Sequence, residues 1–129
     1  MNTRNNLLFY AKLNCVNEKM LMQLVKFFDF DNYLKKKVSE LSSGNKRKLC
    51  ILISILNNPN ILLYDEATCG VDIMIRLKLK VMLDYLKRTN NTISIFTTHF
   101  LKDIEVFCDK LGLINKGEFV CVDYIENIK

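Results

Sequence analysis

The chain has 129 residues, half of them apolar and 26% charged, which is the makeup of one small globular domain. Nineteen Lys and Arg against fourteen Asp and Glu give a net charge of +5, a balance that suits nucleic acid, an anionic membrane face or phosphate ligands, and equally a solvated lysine-rich surface. Five cysteines without a C-x-x-C pair, and a single histidine, argue against a zinc site.

From the N-terminus, Met1 to Tyr10 has no long apolar run behind a basic start, so no signal peptide is expected. Leu7, Leu8 and Ala11, then Leu21, Leu24, Val25 and Phe28, recur at helical spacing, with Asn17 as the N-cap of the second helix. Phe30 to Lys37 reads as a turn of helix and a loop. A polar stretch, Ser39 to Asn45, leads into a buried helix over Lys46 to Leu56, which Pro59 closes. The longest apolar run, Ile51 to Leu56, is far too short to cross a bilayer. Cysteines such as Cys50, beside Ile51-Leu52-Ile53, are expected to be reduced core thiols of a cytosolic protein.

Ile61 to Tyr64 reads as a buried parallel strand running into Asp65-Glu66. Ile73 to Arg88 is helical, with basic residues at its C-terminal end. Thr92 to Thr97 is a second buried strand leading to Thr98-His99, and a helix follows over Leu101 to Phe107. Leu111 to Ile114 and Glu118 to Val122 form a β-hairpin through Asn115-Lys116-Gly117. The order predicts an α/β fold, a helical segment followed by a parallel sheet and a terminal hairpin.

Three features carry chemistry. Ser42-Ser43-Gly44-Asn45 opens a helix, where free backbone N–H groups and a partial positive charge favour an anion; it also reads as a plain serine N-cap. Lys46, Arg47 and Lys48 follow, cations at the unfavourable end of the helix dipole, a placement that makes sense beside an anion. Asp65-Glu66 ends a strand, so one carboxylate can hold Mg²⁺ and the other can polarise a water; the bland alternative is a pair of solvated acids. His99 ends the next strand, within reach of a phosphate near Glu66, and Thr68 and Asp72 complete the set. The carboxyl ends of parallel strands are where α/β folds bind ligands.

Leu41-Ser42-Ser43-Gly44-Asn45 resembles the signature of ATP-binding cassette (ABC) ATPases, usually L-S-G-G-Q, with Ser43 in place of the first glycine. Ile61-Leu62-Leu63-Tyr64-Asp65-Glu66 resembles the Walker B strand. Ala67-Thr68-Cys69-Gly70-Val71-Asp72 is similar to the entry to the D-loop, with Ala67 where proline is usual, and Thr97-Thr98-His99 matches the switch histidine. Asn45-Lys46-Arg47-Lys48-Leu49, Cys108-Asp109-Lys110 and the Lys116-Gly117 hairpin are most similar to the A subfamily, whose members largely move lipids.

The resemblance implies a partial P-loop NTPase-type ABC ATPase domain over residues 1–129. About 4–56 would form the helical subdomain and signature helix, and 57–129 the Walker B, D-loop, switch-histidine and hairpin part. It implies ATP and Mg²⁺ as ligands, a second ABC ATPase domain in a sandwich dimer and transmembrane domains as partners, and a place at the cytoplasmic face of a membrane. Ser42, Ser43, Gly44, Asn45 and Asp72 would contact nucleotide, Asp65 would orient Mg²⁺, Glu66 would be the general base and His99 would bind the γ-phosphate. The P-loop pattern G-x-x-x-x-G-K-[ST] fits none of Gly44, Gly70, Gly112 and Gly117. ATP and Mg²⁺ are therefore expected to bind only with a complete or partner domain. A non-catalytic module lending its signature to a partner is the alternative. No nucleic-acid partner is expected, because no aromatic-interleaved basic groove is apparent.

Overall fold

The computed structural model describes residues 1–128. Helix α1 (Thr3–Leu13) starts at Asn2, whose side chain accepts from the Asn5 N–H. Helix α2 (Glu18–Phe27) starts at Asn17, which accepts from the Met20 N–H at 2.8 Å, so the cap expected from sequence is in place. Two short 3₁₀ turns, Asp31–Tyr33 and Val38–Glu40, lead to helix α3 (Ser43–Ser54). This helix begins three residues before the expected Lys46. Ser42 caps it by accepting from the Asn45 N–H, so Ser43, Gly44 and Asn45 lie in its first turn.

Strand β1 (Ile61–Asp65) is followed by helix α4 (Ile73–Asn90), strand β2 (Ile93–Thr97) and helix α5 (Leu101–Phe107). Strands β1 and β2 pair in parallel, Ile61 against Ile93 through Asp65 against Thr97. Strands β3 (Lys110–Asn115) and β4 (Glu118–Tyr124) pair antiparallel, and a short helix α6 (Ile125–Ile128) follows. Their turn is two residues, Lys116 and Gly117, both at positive φ, the conformation that matches the twist of a hairpin.

The core joins the helical part to the parallel strands. Leu7, Leu21, Val25, Phe28 and Phe30 pack with Leu49, Ile51 and Leu52 of α3, Leu62 and Tyr64 of β1, and Leu79, Leu83 and Leu86 of α4. Each such side chain contributes about 1.5–3 kcal/mol relative to exposure. Tyr64 packs at a tilt against Phe96, which stacks on Phe107, tying β1, β2 and α5 together.

Two sequence expectations change. The parallel strands are covered on one face only, buried in β1 and half-buried in β2: Ile61, Leu63, Ile93 and Ile95 share the other and are 61%, 73%, 61% and 54% exposed. In β1 the continuous apolar run hides how many faces are covered, whereas in β2 the alternation Thr92-Ile93-Ser94-Ile95 points the isoleucines inward and the structure turns them outward. The cysteines are not core thiols either. Cys15, Cys50 and Cys121 are exposed and Cys69 and Cys108 half-buried. Cys50 sits among apolar neighbours in sequence, but the turn of α3 carries it outward while Leu49, Ile51 and Leu52 point in.

Candidate functional site

The first group of predicted residues meets in a cleft of about 200 Å³ between the start of α3 and the loop before α4, lined by Ser42, Gly44, Asn45, Lys48 and Gly70 to Asp72. Glycine is required at position 44, since a Cβ there would stand 2.6 Å from the Gly70 carbonyl oxygen. The first-turn N–H groups of a helix lack intrahelical acceptors, so this end of α3 suits an anion. Ser43 lies in the same first turn and is exposed. Asp72 is the N-cap of α4, its Oδ1 accepting from the Ile75 N–H at 3.0 Å.

The basic run has its own partners. The Arg47 guanidinium donates to the Cys69 carbonyl, which fastens α3 to the loop after β1. Lys48 is buried, donates to the Asp29 carbonyl at 3.3 Å and lies over the rings of Phe30 and Tyr33. Burial pushes its ammonium pKa below the usual lysine range, opposed by the nearby Asp72 carboxylate. These two cations thus have structural reasons to stand near a helix N-terminus, in place of the anion that sequence suggested. Lys46 is exposed.

The second group lies at the carboxyl ends of the parallel strands. Glu66 Oε1 is 3.2 Å from His99 Nδ1, and because an ionised carboxylate only accepts, Nδ1 carries the proton in this contact. Asp65 Oδ1 accepts from the Thr97 hydroxyl. The Glu66 N–H donates to the Thr97 carbonyl at 3.0 Å and lies 3.2 Å from its hydroxyl. Those bonds hold Glu66 at φ +46°, a left-handed conformation that costs a non-glycine residue about 1–2 kcal/mol. Asp65, Glu66 and Thr97 present oxygen donors, the ligand type that suits a hard cation such as Mg²⁺.

Thr68 is not part of this group. It is buried and donates to Asp103 Oδ2 at 2.5 Å. Sequence reading missed the Thr97 hydroxyl as a partner of Asp65, and separately missed Asp103, Arg76 and the Thr98 hydroxyl as a connected set. No local signal marked Asp103, because an acid in the first turn of a helix is ordinary and Lys102 and Glu105 share the same short helix.

A family model described as "ABC transporter" matches residues 3–69. The rat "Cholesterol transporter ABCA5" is 27% identical over 112 residues, 87% of this chain and 7% of that protein. "ABC transporter A family member 10" of Arabidopsis thaliana is 33% identical over 133 residues, 98% of this chain and 14% of that protein. The chain thus spans a small part of these relatives. A solved "Structure of ATP binding subunit of ABC transporter" superposes with a TM-score of 0.84 at 20% identity, covering 99% of this chain and 55% of that one, a likeness in fold. On the family match and these relatives, the chain belongs to the ABC transporter family, as part of an ATP-binding domain of the A-subfamily type.

Proposed function

We propose that this chain supplies two separate working surfaces of an ABC transporter's ATP-binding domain. About 4–56 act as the helical subdomain and signature helix, and 57–129 as the Walker B, D-loop and switch-histidine part. The observation that carries the reading is that the eight candidate residues sort into two groups. Ser42, Gly44, Asn45 and Asp72 line the cleft at α3, with Ser43 in the same helical turn. Asp65, Glu66 and His99 gather at the ends of β1 and β2.

That division fits a sandwich of two ATPase domains, in which the signature serves one nucleotide and the Walker B carboxylates serve another. Bound Mg²⁺-ATP brings the phosphoryl group and the cation that neutralises its charge. Asp65 would orient the cation, Glu66 would accept a proton from the attacking water, and His99 would hold an oxygen of the transferred group. With His99 Nδ1 donating to Glu66, Nε2 could donate to a phosphoryl oxygen only in the imidazolium, which carries N–H on both nitrogens. The residues present fit this assignment: oxygen donors for Mg²⁺, and a glycine-lined helix start for a phosphate.

No P-loop pattern occurs in these 129 residues. Phosphoryl transfer rests on positioning and charge neutralisation, so hydrolysis requires a P-loop from elsewhere in a longer polypeptide or from a partner. The whole transporter would carry a lipid or another hydrophobic substrate, a reading supported by the A-subfamily relative named as a cholesterol transporter, with this domain at the cytoplasmic face of a membrane. No helix among the described residues is long and apolar enough to span one; the membrane-spanning part would come from elsewhere in a longer polypeptide or from partner domains.

The α3 cleft also favours a second reading, a module lending its signature to a complete ATPase domain. Mixing tests both. The chain, titrated to saturation into a purified ABC ATPase domain with Mg²⁺-ATP, should change that domain's phosphate release, and Ser42→Ala should reduce the change. No effect at saturation would remove the signature role.

A further inference from the structure

Asp103 is 2% exposed, a carboxylate buried in a small domain whose other acids are mostly at the surface. Its Oδ2 accepts from Thr68 Oγ1 at 2.5 Å and Thr98 Oγ1 at 3.0 Å, and its Oδ1 accepts from Arg76 Nη1 at 3.0 Å. Arg76 donates again, through Nη2 to the Thr68 carbonyl at 3.0 Å and through Nε to the Val71 carbonyl at 3.2 Å. Its guanidinium lies over the Phe100 ring, 5.8 Å from the centroid. The Phe100 N–H donates to Thr98 Oγ1 at 3.0 Å.

One carboxylate on α5 therefore ties together the loop after β1, the first turn of α4 and the loop after β2. Glu66 stands two residues before Thr68, and His99 lies between Thr98 and Phe100. The Glu66 and His99 side chains are 52% and 62% exposed. An exposed ion pair or hydrogen bond of that kind contributes little to its own geometry. A buried, fully satisfied polar network holds its members rigidly, and its cost when left half-satisfied is high.

We propose that Asp103 is a positioning residue: braced by Arg76, it holds the Thr68 and Thr98 loops so that His99 Nδ1 meets Glu66. This rests on the reading of Glu66 and His99 as a working pair, and the test separates the two ideas without nucleotide. His99 is the only histidine, so the imidazole ¹⁵N signals of the labelled chain report its tautomer alone. On the neutral ring, the wild type should show mainly the Nδ1–H tautomer.

Glu66→Ala should lose that signal in favour of Nε2–H. Asp103→Asn should lose it to the same extent, and the double variant should lose no more. Thr92→Val, which removes a buried hydroxyl bonded to the Pro59 carbonyl at 2.6 Å, should keep it, which separates positioning from loss of stability. If Asp103→Asn keeps the Nδ1–H tautomer while Glu66→Ala loses it, the brace is refuted and the pair stands. If Glu66→Ala also keeps it, the pair itself is refuted and the brace with it. Should Asp103→Asn lose the dispersed amide spectrum of the fold, Thr98→Val, which removes the hydroxyl's bonds to Asp103 and the Phe100 N–H and leaves the Thr68 and Arg76 bonds to Asp103, takes its place under the same criterion.

Discussion

His99 Nδ1 lies 3.2 Å from Glu66 Oε1 although 33 positions separate them in the chain. The parallel pairing of β1 with β2 brings their carboxyl ends side by side, Asp65 opposite Thr97, and the two functional groups extend from there. If Glu66 is the general base, its competence depends on phosphates that these 129 residues have no P-loop to hold. The isolated chain should release no phosphate from Mg²⁺-ATP above a Glu66→Gln control. Robust Mg²⁺-dependent turnover that disappears in the control would overturn the proposal.

Gly44→Ala tests the contact between α3 and the loop before α4. Alanine gains about 1 kcal/mol over glycine inside a helix. Its methyl, however, would meet the Gly70 carbonyl at 2.6 Å, and forced overpacking of this kind costs about 1–3 kcal/mol. The clash should win, lowering the midpoint of urea unfolding and weakening any effect on a partner ATPase. A raised midpoint would show that the loop yields freely.

Tyr64 sets a limit at high pH. Burial raises its phenol from 10.0 to about 12, against a smaller lowering by the hydrogen bond with Ser54. A raised pKa means the folded chain keeps a proton that the unfolded chain has released. Stability from this group is therefore intact below pH 10 and falls as pH climbs toward 12, by about 2–3 kcal/mol in all. Tyr64→Phe should flatten that decline in unfolding free energy measured across the same window. An equally steep decline in the variant would place the cause elsewhere.

The bare face of the parallel sheet should govern solubility. Ile61, Leu63, Ile93 and Ile95 form a contiguous apolar surface, the kind that drives association. Replacing the cross-strand pair by Leu63→Lys and Ile95→Glu introduces opposite charges directly opposite each other. Light scattering at fixed concentration should fall. The unfolding free energy should stay within about 0.5 kcal/mol, as for exposed sites generally. Unchanged scattering would mean that another surface dominates association.

The sequence by itself determined what is local. Asn17 as a cap, the helical stripes of α2 and α4, the strands into Asp65 and Thr97, and the hairpin at Lys116-Gly117 are all fixed by periodicity, side-chain caps and turn conformation over a few residues. So were the family and the motifs that identify it, because they are short runs in a set order.

Only the tertiary structure decided what those runs face. It turned Cys50 outward, left one side of β1 and β2 bare, and assigned Arg47 and Lys48 to the Cys69 and Asp29 carbonyls. It also joined Arg76, Thr68, Thr98 and Asp103, spread over 36 positions of chain, into one buried network. Burial and hydrogen bonding between distant segments depend on which helix covers which strand. A linear pattern carries the preference of each residue for such a place but not the partner it finds there.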